Sequence, residues 1–452
     1  MTRRLLALAC AMLVTGCAAA PGVQTRRADQ HSGTAPAPST NPDDATTAGE
    51  PPMADESTGE TTADVGDGVG DELFPELGNP GLDVQHYDVD LHYDPATDVV
   101  EGSVGLDVLL TESRDEITLD SAGPEVSTVT VDGAEADVRA DGPELRITLP
   151  GAGSAGDELR VEVTYRVAVS TTRSAIGLPV GWYATDGGSY VLNEPDGART
   201  WLPCNDHPSD KASYTFTLSV PTGLTAVANG ELVDHRSETG GETWVWQEDR
   251  PMATYLIQLL TGDYDIIEGE GPNGLPLVSV VLHDDRATMQ PYLDVTPDMI
   301  AFFERYFGAY PLDRYGIAIT DSFGGLAMET QERSLFSRQD FSGDSLGSGF
   351  QEQLLAHELA HQWFGDAVSP ARWQDIWLNE SFATYGEWMW SAGGTEVSGF
   401  ARDALSRRNH GSSADPSVEE MFGFNSYGGG AAVLHALRLT MGDDTFFELL
   451  RR

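Results

Sequence analysis

The 452-residue chain contains a single lysine, Lys211, and its 26 basic residues face 72 acidic ones, a formal charge of −46. No basic stripe exists to neutralise phosphates. So acidic a chain repels polyanions and anionic membrane surfaces, which excludes nucleic-acid binding as a function class. The lysine deficit is one that either a halophilic or a GC-rich source produces. Cysteine is nearly as scarce, with Cys10, Cys17 and Cys204 the whole set. Cys10 lies in an N-terminal leader and Cys17 at its edge, so Cys204 is the one thiol left to the folded part and no disulfide framework is available. The apolar run at the start, Leu5 to Val14, is too short to cross a hydrocarbon core comfortably, and no internal repeat is visible. The fold must stand on its core, which nine Trp, sixteen Phe and fourteen Tyr can supply in two or three domains.

Arg3 and Arg4 precede the Leu5 to Val14 run, and Thr15, Gly16 and Cys17 follow it. Cations, a short apolar stretch and small residues make an export signal. The sequence VTGC resembles the bacterial lipobox, which implies cleavage before Cys17 and acylation there; an ordinary signal cleavage near Ala18 to Ala20 is the alternative. The expected location is lipid-anchored at the cell membrane, facing outward or the periplasm, with the lipid as the one membrane contact. Residues 18–75 are Pro, Thr, Ala, Gly and acid, a composition that buries no core and reads as a disordered tether.

From about residue 76 to 267 the chain alternates polar and apolar residues in short runs, among them Gln85–Tyr93, Val104–Leu110, Leu159–Val169 and Tyr214–Val220. Period two with Gly, Asp and Pro punctuation predicts an antiparallel β domain. In residues 268–452 the period lengthens. Thr296-Pro297-Asp298 predicts the start of a helix whose Met299, Phe302, Phe303 and Phe307 face one way and which Gly308 ends. Further helices are expected near 350–364, 379–390 and 430–441. The fold class is α+β and multidomain, with a β domain followed by a mainly helical one.

The second of those helices carries HELAH. An i, i+4 pair puts His357 and His361 on one face, where they can bind one zinc ion, with Glu358 beside them to polarise a water. Glu380 follows nineteen positions after His361 at the start of the next helix. Two His and one Glu leave a coordination position open, the arrangement of a catalytic rather than a structural zinc.

HELAHQWFGD followed by WQDIWLNESFATYGE resembles the signature of the gluzincin zinc aminopeptidases of the aminopeptidase N and leukotriene-A-hydrolase type, a similarity covering most of the chain after about Leu82. The resemblance implies a thermolysin-like catalytic domain, one Zn2+ held by His357, His361 and Glu380, Glu358 as general base, and Asn379 as a partner outside the ligand shell. GGLAMET, from Gly324 to Thr330, resembles the family's GxMEN motif and implies that Glu329 holds the substrate's free α-amine; Thr330 stands where Asn is usual and Leu326 where Gly is usual. The segment NEPDGARTWLPCNDHP implies Glu194 as a second amine-binding acid and Cys204 as a packed thiol, with Arg199 and Asp206 bracing the domain junction. Tyr427 in FNSYGGG resembles the family's oxyanion-donating tyrosine. Larger family members continue into a helical domain beyond the point corresponding to Arg452, so a more open cleft is expected here.

The function these residues imply is a zinc-dependent aminopeptidase acting on peptides with a free N-terminus. A thermolysin-like endopeptidase or an epoxide hydrolase on the same zinc site, and an inactive surface binding protein, are the competing readings.

Overall fold

The structure, a computed structural model, describes residues 68–452 apart from 175, 323, 324, 326 and 343–348. The export signal, Cys17 and the tether up to residue 67 lie outside the described residues, as do Gly324 and Leu326. The tether ends earlier than composition suggests. Asp71 accepts from the backbone of Leu73 and Phe74 (2.8 and 3.0 Å) and from Trp373 N (2.6 Å), and Phe74 sets its ring edge-on to Trp373. Residues 68–75 are therefore packed against the helical part. An Asx-type turn and one aromatic anchor suffice for this, and an averaged composition does not register them.

The β part is built around an eight-stranded sheet. Its spatial order is Glu231–Glu238, Gly241–Ala253, Lys211–Val220, Leu82–Asp94, Val99–Leu110, Glu158–Ala168, Glu125–Val131 and Ala134–Glu135. Strand Lys211–Val220 shows why the pattern was readable: Ala212, Tyr214, Phe216, Leu218 and Val220 all turn inward while their neighbours stay half-exposed. One pair departs from the antiparallel expectation. Leu82–Asp94 runs parallel to Lys211–Val220, with His86 opposite Ser213. Alternation is blind to strand direction, and no hairpin joins two strands so far apart in sequence. A five-stranded and a three-stranded sheet complete this part and share one core, in which Val84, Ile117, Ile147, Trp182 and Tyr214 are all buried.

The helical part begins with its own five-stranded sheet, ordered Tyr264–Glu270, Pro276–Leu282, Ile317–Thr320, Ser334–Ser337 and Ala327–Met328. Because Tyr264–Glu270 pairs with Pro276–Leu282, the changeover falls at residue 263 and not at 267. Seven α-helices accompany this sheet among the described residues: α1 Arg286–Phe307, α2 Arg338–Phe341, α3 Phe350–His361, α4 Trp377–Ser391, α5 Ser398–Arg407, α6 Gly430–Met441 and α7 Asp443–Leu450. Helix α1 starts ten residues before Thr296, so Thr296 is not a cap. Its hydroxyl donates to the Tyr292 carbonyl (2.8 Å), and the helix runs through Pro297. Met289 on one side of the proline and Met299 and Phe303 on the other are buried in the same core, which holds the two halves as one rod. Gly308, at φ 101°, ends it as expected. No helix among the described residues is long and apolar enough to cross a membrane.

Candidate metal centre and substrate cavity

Three helices turn stripes toward one cavity. Helix α3 supplies Gln353, Leu354, His357, Glu358 and His361, α4 supplies Glu380, Thr384, Glu387 and Trp388, and α5 supplies Phe400, Asp403, Ala404 and Arg407. Each stripe repeats at three or four residues, one face of a helix. Glu194 enters from the β domain, Glu329 from the loop after strand Ala327–Met328, and Tyr427 from a turn before α6. The structure thus brings together residues that are up to 233 positions apart in Glu194 and Tyr427.

His357 Nε2 lies 3.2 Å and His361 Nε2 3.5 Å from Glu380 Oε2. Zinc bonds of about 2.0–2.1 Å in a tetrahedron place neighbouring donors about 3.3–3.4 Å apart, so these separations fit the ion. All three donors lie within 4.8 Å of one another. Each imidazole also has a partner on its other nitrogen: His361 Nδ1 donates to the Phe364 carbonyl (3.1 Å), and His357 Nδ1 faces Glu387 Oε2 at 3.7 Å. That leaves both Nε2 atoms turned to the metal position. Burial would raise the Glu380 carboxyl, but the two imidazoles hold it down at about 2, so it is an anion ready to bind a cation.

Glu358 is 5% exposed, and its carboxyl is raised by burial against the pull of the two histidines. Glu329 is buried within 4.0 Å of His361 Nδ1. Burial raises Glu329, and burial together with the charges of Glu329, Glu380 and Glu358 raises Glu194 well above the usual carboxylate range. Oε1 of Glu194 and Oε1 of Glu329 are both buried without a hydrogen-bond partner. Two repelling carboxylates, each with an orphaned oxygen, are stabilised by a cation placed between them.

Thr330 is buried and unavailable to a substrate: its hydroxyl donates to the Arg333 carbonyl (2.5 Å) and accepts from Gln258 Nε2 (2.9 Å). Arg333, fully buried, donates to the Ala228 carbonyl of the β domain and to the Val278 carbonyl of the helical part's own sheet (both 2.8 Å), and so ties the loop after Glu329 to both parts. Asn379 touches no ligand directly. Its amide donates to Tyr255 Oη (3.2 Å), which in turn donates to the Gly365 carbonyl (3.2 Å), next to the Phe364 that orients His361. Arg199 and Asp206 brace the β domain's own turns instead of the junction, with Arg199 N donating to Asp206 Oδ2 (3.0 Å) and Asp206 Oδ1 accepting from Thr254 (2.6 Å). Cys204 is fully buried and free, and burial pushes its thiol up, so it is no nucleophile.

Tyr427 sits on a π turn, Asn425–Gly429, and its ring stacks on His357 at 5.9 Å with 16° between planes. Burial and the Glu380 charge raise its phenol well above the usual range, keeping it a proton donor. Sequence reasoning missed Glu387, Gln258, Tyr255 and Arg333. Glu387, two helical turns after Glu380, was within reach of a spacing argument; the other three act only through contacts made by folding.

The peptidase family M1 domain matches residues 292–452, and the peptidase M1 N-terminal domain matches residues 83–256. The leucyl aminopeptidase of Saccharolobus solfataricus is 30% identical over 81% of this chain and 48% of its own length. The chain thus spans about half the length of the curated relatives it matches. Among solved structures, the M1 zinc metallopeptidase of Deinococcus radiodurans superposes with a TM-score of 0.77 at 33% identity, over 85% of this chain and 88% of that one. A mutant of that protein bound to a Tyr-Ser-Ala substrate gives a TM-score of 0.78 at 32% identity, with the same coverage.

Proposed function

The chain belongs to peptidase family M1, and from that premise we propose that it is a zinc aminopeptidase releasing the N-terminal residue of peptides whose amine is free. One observation carries this reading. A donor triad with zinc spacing stands beside two carboxylates, half-buried Glu194 and buried Glu329, each with a buried Oε1 that has no hydrogen-bond partner.

Glu194 and Glu329 receive the substrate ammonium. An internal peptide segment offers no charge there and would leave both carboxylates unpaired, which selects against endoproteolysis. His357, His361 and Glu380 would hold the zinc ion, which when bound would supply Lewis acidity and lower the pKa of water. Glu358 takes the proton of the attacking water and returns it to the departing amine. The Tyr427 phenol donates to the oxygen on which negative charge develops. Since Glu329 stands at the His361 end of α3, the rest of the peptide runs toward Leu354, Thr384 and Phe400. Those stripes extend about 10 Å, two helical turns, past the metal position.

The same reading extends to the N-terminus, where the Arg3-Arg4 leader and VTGC support export and lipid anchoring at Cys17, with the acidic segment 18–67 as a tether. Cys17→Ser would then lose palmitate labelling and leave the membrane fraction. Unchanged fractionation would contradict the anchor.

The activity is tested by digesting unblocked ten-residue peptides and following products by mass spectrometry. Stepwise loss of single N-terminal residues, stopped by chelator and restored by zinc, is expected. Internal cuts would instead identify a thermolysin-like endopeptidase on the same donors, and zinc binding without peptide cleavage would turn attention to the epoxide-hydrolase or binding readings.

A further inference from the structure

The π turn that carries Tyr427 closes with Gly429 N donating to the Phe424 carbonyl (2.9 Å), and carbonyls along it also take side-chain donors. Two serines supply them. Ser381 Oγ donates to the Ser426 carbonyl (2.5 Å) and Ser413 Oγ donates to the Asn425 carbonyl (2.7 Å). Ser381 and Ser426 are both fully buried. Ser381 directly follows the metal ligand Glu380 on α4, and Ser426 directly precedes Tyr427.

The start of α6 and helix α4 approach closely at this point. A Cβ built on Gly430, the first residue of α6, would lie 1.9 Å from Ser381 Oγ. Gly430 is therefore the residue that admits a hydroxyl at 381 between α4 and the π turn. A serine inside a helix commonly back-bonds to its own preceding turn. Here the hydroxyl is directed across to the neighbouring segment.

We propose that Ser381 is a positioning residue that fixes the Tyr427 phenol relative to Glu380, so that metal ligand and oxyanion donor are held by one hydrogen bond between adjacent residues of two helices. This rests on the aminopeptidase reading and on the role it gives Tyr427. Ser381 touches neither substrate nor metal. Losing its hydroxyl leaves the zinc donors and the amine anchors in place but loosens the turn on which Tyr427 rides, and a displacement of about 1 Å at such a group is enough to slow turnover.

The test is a double-mutant cycle on the zinc-loaded protein, using Ser381→Ala, Tyr427→Phe and the pair, with kcat, KM, zinc content and melting temperature measured for each. Ser381→Ala is expected to lower kcat about tenfold with KM within twofold and zinc content unchanged. In the Tyr427→Phe background the same substitution is expected to cost less than twofold. Equal losses in the two backgrounds, or loss of zinc from Ser381→Ala, would overturn the proposal by showing a general structural role. A Tyr427→Phe enzyme at wild-type rate would sink the role of Tyr427 itself, a distinct failure. Should Ser381→Ala not fold, Ser381→Cys, which keeps a weaker donor in a similar shape, takes its place in the cycle with the same criterion.

Discussion

At the scale of single residues, four acids within one cavity are set apart by their surroundings. Glu380 is held anionic by two imidazoles, Glu358 is raised by burial, and Glu194 and Glu329 are raised with unpaired oxygens. Environment, and not residue type, separates the four. Glu358→Gln should keep one zinc per chain and lower kcat by about 10²–10⁴, the range of general acid–base catalysis. A variant with wild-type turnover, or one that loses zinc, would contradict the base assignment. Glu329→Gln removes a charge-assisted contact worth about 1.5–3 kcal/mol, so kcat/KM for a free-amine substrate should fall about 10- to 100-fold while zinc content holds. That His357, Glu358, His361 and Glu380 come together was legible in the sequence, because they sit on two helices close in the chain with fixed spacing. Glu194 and Glu329 were legible only through resemblance, since nothing local in either segment says that they meet.

At the scale of elements, helix α1 shows what local rules miss. Thr296-Pro297-Asp298 has the residue types of a helix start, yet burial of Met289 on the far side extends the helix by ten residues through the proline. Pro297 cannot donate to the carbonyl four residues back, and an interior proline costs about 3 kcal/mol where it is fully strained. Pro297→Ala should therefore raise the melting temperature, by an amount corresponding to about 1–2 kcal/mol. A lower melting temperature would mean that the proline's restraint on the unfolded chain outweighs the missing bond. The parallel pairing of Leu82–Asp94 with Lys211–Val220 and the π turn under Tyr427 were likewise hidden. Strand direction and a one-residue change of helical pitch leave no mark on a hydrophobic pattern. The helix expected from residue 430 is there, but its first residue, Gly430, is also where α6 meets Ser381, a contact no local pattern announces.

At the scale of the whole molecule, the acidic excess reaches into the β domain. Asp120 is pushed up to about 7 by burial and then by the charge of Asp206, Glu144 to about 8 by burial and then by Asp120, and Asp206 to about 6 chiefly by burial. In the unfolded chain such groups titrate near about 4. Between those values the folded state holds more protons than the unfolded one, so stability is greatest at the acidic end and falls as pH rises from about 4 toward 8. The metal-free protein, measured in chelator so that zinc release does not intervene, should melt several degrees lower at pH 8 than at pH 5.5. A flat or rising profile would contradict the raised carboxyls of this cluster. The two domains meet beside Glu329: Arg333 ties its loop to Ala228 of the β domain, Lys211 donates to the Asp366 carbonyl (2.6 Å), and Glu194 enters the cavity from the β domain. The central claim is that this junction makes the site read a free N-terminus. It is tested most directly by kcat/KM for matched aminoacyl amides with a free or an acetylated amine, with and without chelator. Chelator-sensitive release that favours the free amine by at least about 10²-fold, the combined strength of two charge-assisted contacts, is expected. Comparable rates on the acetylated series would contradict it.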